Sequence, residues 1–228
     1  MPSARSEVYK GQDLARLRGA RDARLAPVTV PPAPPGDADP GKVRAELGAV
    51  DRPLIVAVGS LVARRGYGVL LDAARAWRAL EPLPLLVIAG EGELRADLSR
   101  RIGAEGLPVR LLGRRTDVPD LLAAADVAVL PSRWEARSLL AQEALRNGVA
   151  LVATKVGGVP ELVGDAAVLV PYGDAAALSR AVASLIADPA RRAALAAAGQ
   201  VQAATWPSED DTVAQVLSVY DELMERGR

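Results

Sequence analysis

Six short apolar runs, at residues 54–58, 85–89, 109–112, 127–130, 151–153 and 167–170, recur between stretches of helical periodicity. Each is only three to five residues long and, Arg110 apart, apolar on both faces. That is the signature of strands covered by helices on either side, as in a parallel sheet. The stretches between them, among them 67–80 and 93–101, carry the helical pattern. Strand and helix alternating this often predict an α/β fold with a doubly wound, mostly parallel six-stranded sheet, Rossmann-like in kind. Sheets of this class take ligands at the carboxyl ends of their strands, near the switch in strand order. After the last run the chain is helical at 174–187, 189–203 and 209–225. The final stretch carries Val213, Val216, Leu217, Tyr220, Leu223 and Met224 at helical spacing, a stripe that calls for a cover.

The first fifty residues have another character. Residues 6–18 could form a short helix with Val8, Leu14 and Leu17 on one side. Pro27, Pro31, Pro32, Pro34, Pro35 and Pro40 follow, too dense for a helix interior or a central strand. The division expected is therefore a leading segment and linker over 1–50, a Rossmann-like domain over 51–205 and an amphipathic helix over 206–228.

Histidine and cysteine are both absent. That excludes disulfides, zinc–thiolate centres, cysteine nucleophiles and any histidine-dependent triad. Arginine and lysine total 28, matched by 28 aspartates and glutamates, so no global field draws the chain to nucleic acid. No apolar run reaches the roughly 18 residues of a membrane span, and the N-terminus lacks the apolar core of a signal peptide. A cytoplasmic protein is the expectation.

Three glycine-rich turns follow strands: VAVGSLVARRGYG, VIAGEGELR and VATKVGGVPEL. None has the Lys-Ser or Lys-Thr of a nucleotide-triphosphate loop. Gly90, Gly92 and Arg95 give G-x-G-x-x-R, which lacks the third glycine of a dinucleotide fingerprint, so a nicotinamide-dependent oxidoreductase is disfavoured. Most of these glycines read equally well as tight strand-to-helix turns. More specific is DVAVLPSRWEARSLLAQEALRNGVALVATKVGGVPELV, in which Glu135 and Glu143 stand eight positions apart. Ser138 is a plausible N-cap for a helix starting at Leu139. The first amides, at Leu139 and Leu140, then form a ready anion site flanked by Glu135 in the loop and Glu143 one turn in. An anion site between two hydroxyl-seeking carboxylates suits a nucleoside diphosphate sugar. Taken alone, either glutamate reads better as an ordinary solvated charge.

In order along the chain stand Gly59-Ser60-Leu61 with Arg65-Gly66, Gly90-Glu91-Gly92, Leu112-Gly113-Arg114, Glu135-x7-Glu143-Ala144 and Gly157-Gly158-Val159-Pro160-Glu161. Together these resemble the C-terminal, donor-binding domain of the retaining GT-B glycosyltransferases, the glycogen-synthase-like and mannosyltransferase-like enzymes of the glycosyl transferases group 1. The resemblance runs from Leu54 to Ala204. It implies donor contacts from Gly59, Ser60, Arg65, Arg114, Glu135, Ser138, Leu139, Leu140 and Glu143. Glu143 would take the ribose hydroxyls, Glu135 the sugar near the reacting centre, and Ser138 with the Leu139 and Leu140 amides the distal phosphate. Arg65 would neutralise the diphosphate leaving group, which makes Glu135 and Arg65 the catalytic pair, and Arg114 would meet the base. The resemblance implies a nucleotide-diphosphate-sugar donor as partner, with neither cofactor nor metal, since cationic side chains and a helix dipole take the metal's part. Asp37-Ala38-Asp39 imitates a metal triplet but sits in the proline segment.

Ser60, Ala136 and Ala150 depart from the family pattern, which has Arg, Gly and Pro there. The family's N-terminal, acceptor-binding domain has no counterpart here beyond an exit segment over 6–35. The chain alone is therefore expected to bind nucleotide without efficient transfer, and to meet an N-terminal subunit or a second copy of itself through its last helix. The rival expectation is a non-catalytic nucleotide- or sugar-phosphate-binding module that regulates or scaffolds a partner.

Overall fold

The structure, a computed structural model, describes residues 38–226. The helix expected at 6–18 and most of the proline segment lie outside the described residues. The first element is helix α1 (Pro40–Leu47), inside the stretch 1–50 expected to be exit segment and linker. Its proline is the reason it could form there. At the first helical position a proline has no needed N–H to lose and arrives with its φ already set. Asp39 caps it by accepting from Gly41 N at 2.8 Å. Val43, Leu47 and the following Ala49 are buried against the sheet, so the globular unit begins at α1 rather than at Asp51.

The elements then alternate as the sequence predicts. Strand β1 (Leu54–Val58) leads through a 3₁₀ turn (Ala63–Arg65) to α2 (Tyr67–Trp77), and β2 (Leu85–Ala89) to α3 (Arg95–Glu105). Strand β3 (Val109–Gly113) precedes α4 (Val118–Ala124), β4 (Val127–Leu130) precedes α5 (Leu139–Arg146), and β5 (Leu151–Thr154) precedes α6 (Val159–Val163). Strand β6 (Ala167–Val170) closes the sheet, followed by α7 (Ala175–Ala187), α8 (Pro189–Ala204) and α9 (Glu209–Arg226). Helix α2 stops at Trp77, earlier than expected, and α3 runs later, to a left-handed Gly106 cap.

All six strands are parallel, in the order β3-β2-β1-β4-β5-β6. Strand side chains alternate between two cores. Leu54, Val56, Ala128, Leu130, Leu151 and Ala153 join the layer of α1, α4, α5 and α6, while Ile55, Ala57, Val127, Val129 and Val152 join that of α2, α3 and α7. With both faces covered, the open places are the sheet's two ends. The strand order reverses between β1 and β4, so the loops leaving these strands diverge to opposite faces and leave a crevice at their carboxyl ends.

Candidate functional site

Two chain segments meet at that crevice. One leaves β1 through Gly59 and Ser60 to the 3₁₀ turn; the other leaves β4 through Pro131 to the start of α5. Gly66 brings them together. Its φ is +71°, and a Cβ there would stand 2.0 Å from the Pro131 carbonyl oxygen. Only glycine tolerates both the left-handed backbone and the contact. A backbone bond from Arg133 N to Arg64 O, at 2.8 Å, fixes the register of the two loops.

That contact sets Arg65 against Glu135. The guanidinium donates through Nη1 to Glu135 Oε1, although the two residues are 70 apart in sequence. Glu135 is 6% exposed and receives a second bond on the same oxygen, from Ser132 Oγ at 2.7 Å. Arg65 Nε is buried with no hydrogen-bond partner. A desolvated N–H left unmet is costly and rare in a folded protein. Beside the pair, Tyr67 donates its hydroxyl to Gly59 O at 3.0 Å, and burial pushes its pKa up to about 12. The phenol therefore stays protonated and ties the β1 turn to α2.

Ser138 is the N-cap of α5, as the sequence predicts. It is buried and accepts from Ala141 N at 3.3 Å. Leu139 and Leu140 are the first two helical residues, so their N–H groups have no carbonyl within the helix to meet. Leu140 is buried and Leu139 is 55% exposed. The helix's positive end thus directly follows the loop whose Glu135 is bound by Arg65. Glu143 lies one turn further and half-buried, with burial raising its pKa above the usual glutamate range and Arg146 pulling it down. The glycine pair after β5 supports the loop from the other side. Gly158 N donates to Glu135 O at 3.0 Å, and a Cβ on Gly158 would stand 2.0 Å from the Ala136 carbonyl oxygen.

The structure thus brings Gly59, Arg65 and Glu135 together, and the loop from Glu135 runs directly into Ser138, Leu139 and Leu140 at the start of α5, with Glu143 one turn further. Ser60, next after Gly59, is exposed. Arg114 is exposed in the turn after β3, two strands from β1 in the sheet order. Ser132, Tyr67 and Thr154 were not singled out from sequence. Thr154, the last residue of β5, donates to Ser132 O at 2.6 Å. Arg137 was also missed. Its Nε and Nη2 are buried without a partner, and burial followed by the like charge of Arg146 lowers its pKa. Both guanidiniums lie over the Trp206 ring, at 5.7 and 5.4 Å from its centroid. No cluster of three or more acidic side chains able to hold a metal occurs among the described residues. Nor, among them, is any helix long and apolar enough to cross a membrane.

Comparison with known proteins places this geometry in context. The model of a family described as glycosyl transferases group 1 matches residues 41–202. The chain is 34% identical over 170 residues to alpha-D-kanosaminyltransferase of Streptomyces kanamyceticus, covering 70% of this chain and 44% of that protein. It is 35% identical over 183 residues to a GDP-mannose-dependent phosphatidylinositol monomannoside mannosyltransferase of Corynebacterium glutamicum, covering 75% and 48%. The chain spans about half the length of the curated relatives it matches. Among solved structures, Anabaena HepE, determined with UDP and with UDP-glucose, superposes with a TM-score of 0.70 at 26% identity, covering 82% of this chain and 52% of that one. Sucrose-phosphate synthase from Thermosynechococcus elongatus gives a TM-score of 0.79 at 25% identity, covering 96% and 58%.

Proposed function

The chain belongs to the glycosyl transferases group 1 family, and from that premise we propose that it is the half of a GT-B enzyme that binds a nucleoside diphosphate sugar. The whole enzyme would pass the sugar to an acceptor hydroxyl with retention of configuration. One observation carries the proposal: a guanidinium with a buried, unmet nitrogen bonds the glutamate of the loop that leads into the N-terminus of α5, at the switch between β1 and β4. The unmet Arg65 Nε and the Leu139 and Leu140 amides are donors in want of an anion, and a diphosphate supplies one. Arg65 would steady the charge that gathers on the diphosphate as the glycosidic bond breaks. Glu143 would accept from the ribose and Glu135 from the sugar. With no histidine in the chain, catalysis would rest on positioning and leaving-group stabilisation. Arg114 would reach the base only from the outer rim.

Titration calorimetry with UDP, GDP, ADP and their sugars tests this. Glu143→Gln should weaken nucleotide and nucleotide sugar alike, by about 1.5–3 kcal/mol. Glu135→Gln should weaken the nucleotide sugar and spare the bare nucleotide. Equal loss of the bare nucleotide in both variants contradicts the placement of the sugar. Binding should also persist in EDTA; loss on chelation with recovery on adding Mg²⁺ or Mn²⁺ would contradict a site built on Arg65 and α5. A second possibility is a module that binds the nucleotide sugar without transferring it. Ser60, exposed where the resembled pattern has a cation, favours that alternative.

A further inference from the structure

Two buried hydroxyls at the carboxyl ends of β4 and β5 have no part in the function just described. Thr154, 2% exposed, donates to the carbonyl of Ser132 at 2.6 Å. Ser132, fully buried, donates in turn to Glu135 Oε1 at 2.7 Å. Arg65 Nη1 meets the same oxygen. Among the described residues, both of the hydrogen bonds to Glu135's carboxylate therefore fall on Oε1, which leaves Oε2 for a ligand.

The terminal torsion of a glutamate is broad and weakly preferring, so the plane of its carboxylate is set by what holds it. Arg65 cannot hold it alone. The diphosphate competes for that guanidinium, and when Arg65 turns toward phosphate its grip on Oε1 loosens. Ser132 has no such competitor. It sits at the end of a central strand and is gripped from the neighbouring strand by Thr154, so its hydroxyl stays where it is in both states. We propose that Ser132, braced by Thr154, is the positioning residue that commits Oε1 to the protein and turns Oε2 toward a hydroxyl of the donor's sugar. Preference for nucleotide sugar over bare nucleotide then depends on Ser132. This rests on Glu135 being the sugar's contact.

Calorimetry on the purified chain distinguishes the two ideas. The probes are UDP, GDP and ADP with UDP-glucose, GDP-mannose and ADP-glucose, and the readout is the ratio of sugar-bearing to bare affinity for whichever base binds. Ser132→Ala should lower affinity for the nucleotide sugar about tenfold, the equivalent of one hydrogen bond, while the bare nucleotide stays within about twofold. Ser132→Thr, which keeps the hydroxyl, should recover most of the loss. Thr154→Val should shift the ratio in the same direction by less. In a Glu135→Gln background Ser132→Ala should add nothing, since the oxygen it steadies has already lost its charge. A purely structural loop contact predicts otherwise: equal loss of both ligands and no rescue by threonine, and that result overturns the inference. Should Ser132→Ala not fold, Ser132→Cys and Thr154→Val carry the same comparison. A wild type that binds neither nucleotide nor nucleotide sugar refutes the donor site and this inference with it. A wild type that prefers the sugar form, with the preference intact in Ser132→Ala, refutes this inference alone.

Discussion

Arginines gather at both ends of the sheet, and they behave differently at each. At the amino end Arg44 reaches Ala124 O, Arg52 O and Asp126, and Arg52 reaches Leu83 O and Pro84 O, both at 2.8 Å. Arg78 donates to Glu105 O and Arg110 to Leu47 O. These guanidiniums hold loop carbonyls and helix ends, which lack partners of their own. At the carboxyl end Arg65 keeps a buried nitrogen unmet, and Arg137 keeps two. A groove of about 430 Å³ between Arg52, Arg78, Leu83 and Arg110 lies at the satisfied end. Concavity alone therefore misleads here. Unanswered hydrogen-bonding capacity marks the end at which the donor is proposed to bind, where a diphosphate would repay the desolvation of groups the fold leaves short.

The largest expected effect tests whether the carboxyl end is held as tightly as its close contacts imply. Gly66→Ala combines a left-handed backbone with a Cβ 2.0 Å from the Pro131 carbonyl oxygen, and neither segment can retreat without disturbing the Arg65–Glu135 pair. A loss of about 3 kcal/mol is expected in denaturant unfolding. Gly106→Ala, at the amino end, has a φ of +57° but nothing within 4 Å of the added carbon. It should cost only about 1 kcal/mol, the backbone strain alone. Equal costs would mean that the crevice loops yield and that their contact does not preorganise the site.

Next in size is the difference between an unmet and a satisfied guanidinium. Arg65→Met should weaken UDP or GDP, whichever binds, by about 1.5–3 kcal/mol, the worth of a hydrogen bond to a charged group. Arg110→Met should leave nucleotide affinity within about twofold and cost about 1 kcal/mol of stability through the lost bond to Leu47 O. Calorimetry and unfolding on the same two proteins check both halves. The comparison fails if Arg110→Met weakens the nucleotide as much as Arg65→Met.

Carboxylates at the two ends also titrate in opposite directions. Hydrogen bonds from Arg101 and then Arg75 hold Glu105 below the usual range, whereas burial raises Glu143 above it despite Arg146. For Glu143 the folded state binds its proton more tightly than the unfolded chain. Its burial therefore costs stability once the pH exceeds the folded pKa, and that cost disappears below the usual value of 4.5. The ribose hydroxyls proposed to meet Glu143 would be accepted most strongly by its ionised form. On acidification, affinity for the nucleotide sugar should start to fall at a pH above 4.5, earlier than an exposed glutamate would cause. The ligand's diphosphate is a diester and stays ionised across this range, so Glu143→Gln should remove the inflection. A Gln variant with an unchanged profile would assign the inflection to another group.

The sheet was legible because its strands print as short apolar runs, broken only by Arg110 in β3. Helix α1 was not, since density of proline read as linker hides Pro40, which starts a helix. In the site, Ser138 and its two flanking glutamates were legible because cap, helix and loop are local in sequence. Ser132 and Thr154 were not. A serine after a strand is unremarkable until Thr154, 22 residues on, grips its carbonyl and Arg65, 70 residues from Glu135, meets the same carboxylate oxygen. Side chains whose meaning lies in a partner across the sheet leave no local trace. Arg114 was legible as a residue following a strand, but the position of that strand, β3, at the sheet's edge was not, because strand order is not written in the local sequence.

The smallest expected effect concerns a surface short of apolar rather than polar partners. Along α9, Val213, Val216, Leu217, Tyr220 and Met224 are all exposed, Tyr220 at 63% and Met224 at 71%. Their spacing puts them on one stripe, and contiguous apolar surface of a few hundred Å² promotes association. Light scattering on the wild type should give a mass above one chain, and Leu217→Glu with Tyr220→Glu should return it to one. Because neither side chain is buried, the double variant should change unfolding free energy by less than about 0.5 kcal/mol. Together those results would separate α9 from both ends of the sheet, since it would influence assembly without supporting the fold or the site. A loss of several kcal/mol would instead show that the stripe packs onto the domain in solution. A single-chain wild type with the small stability change would leave α9 an amphipathic surface that water covers.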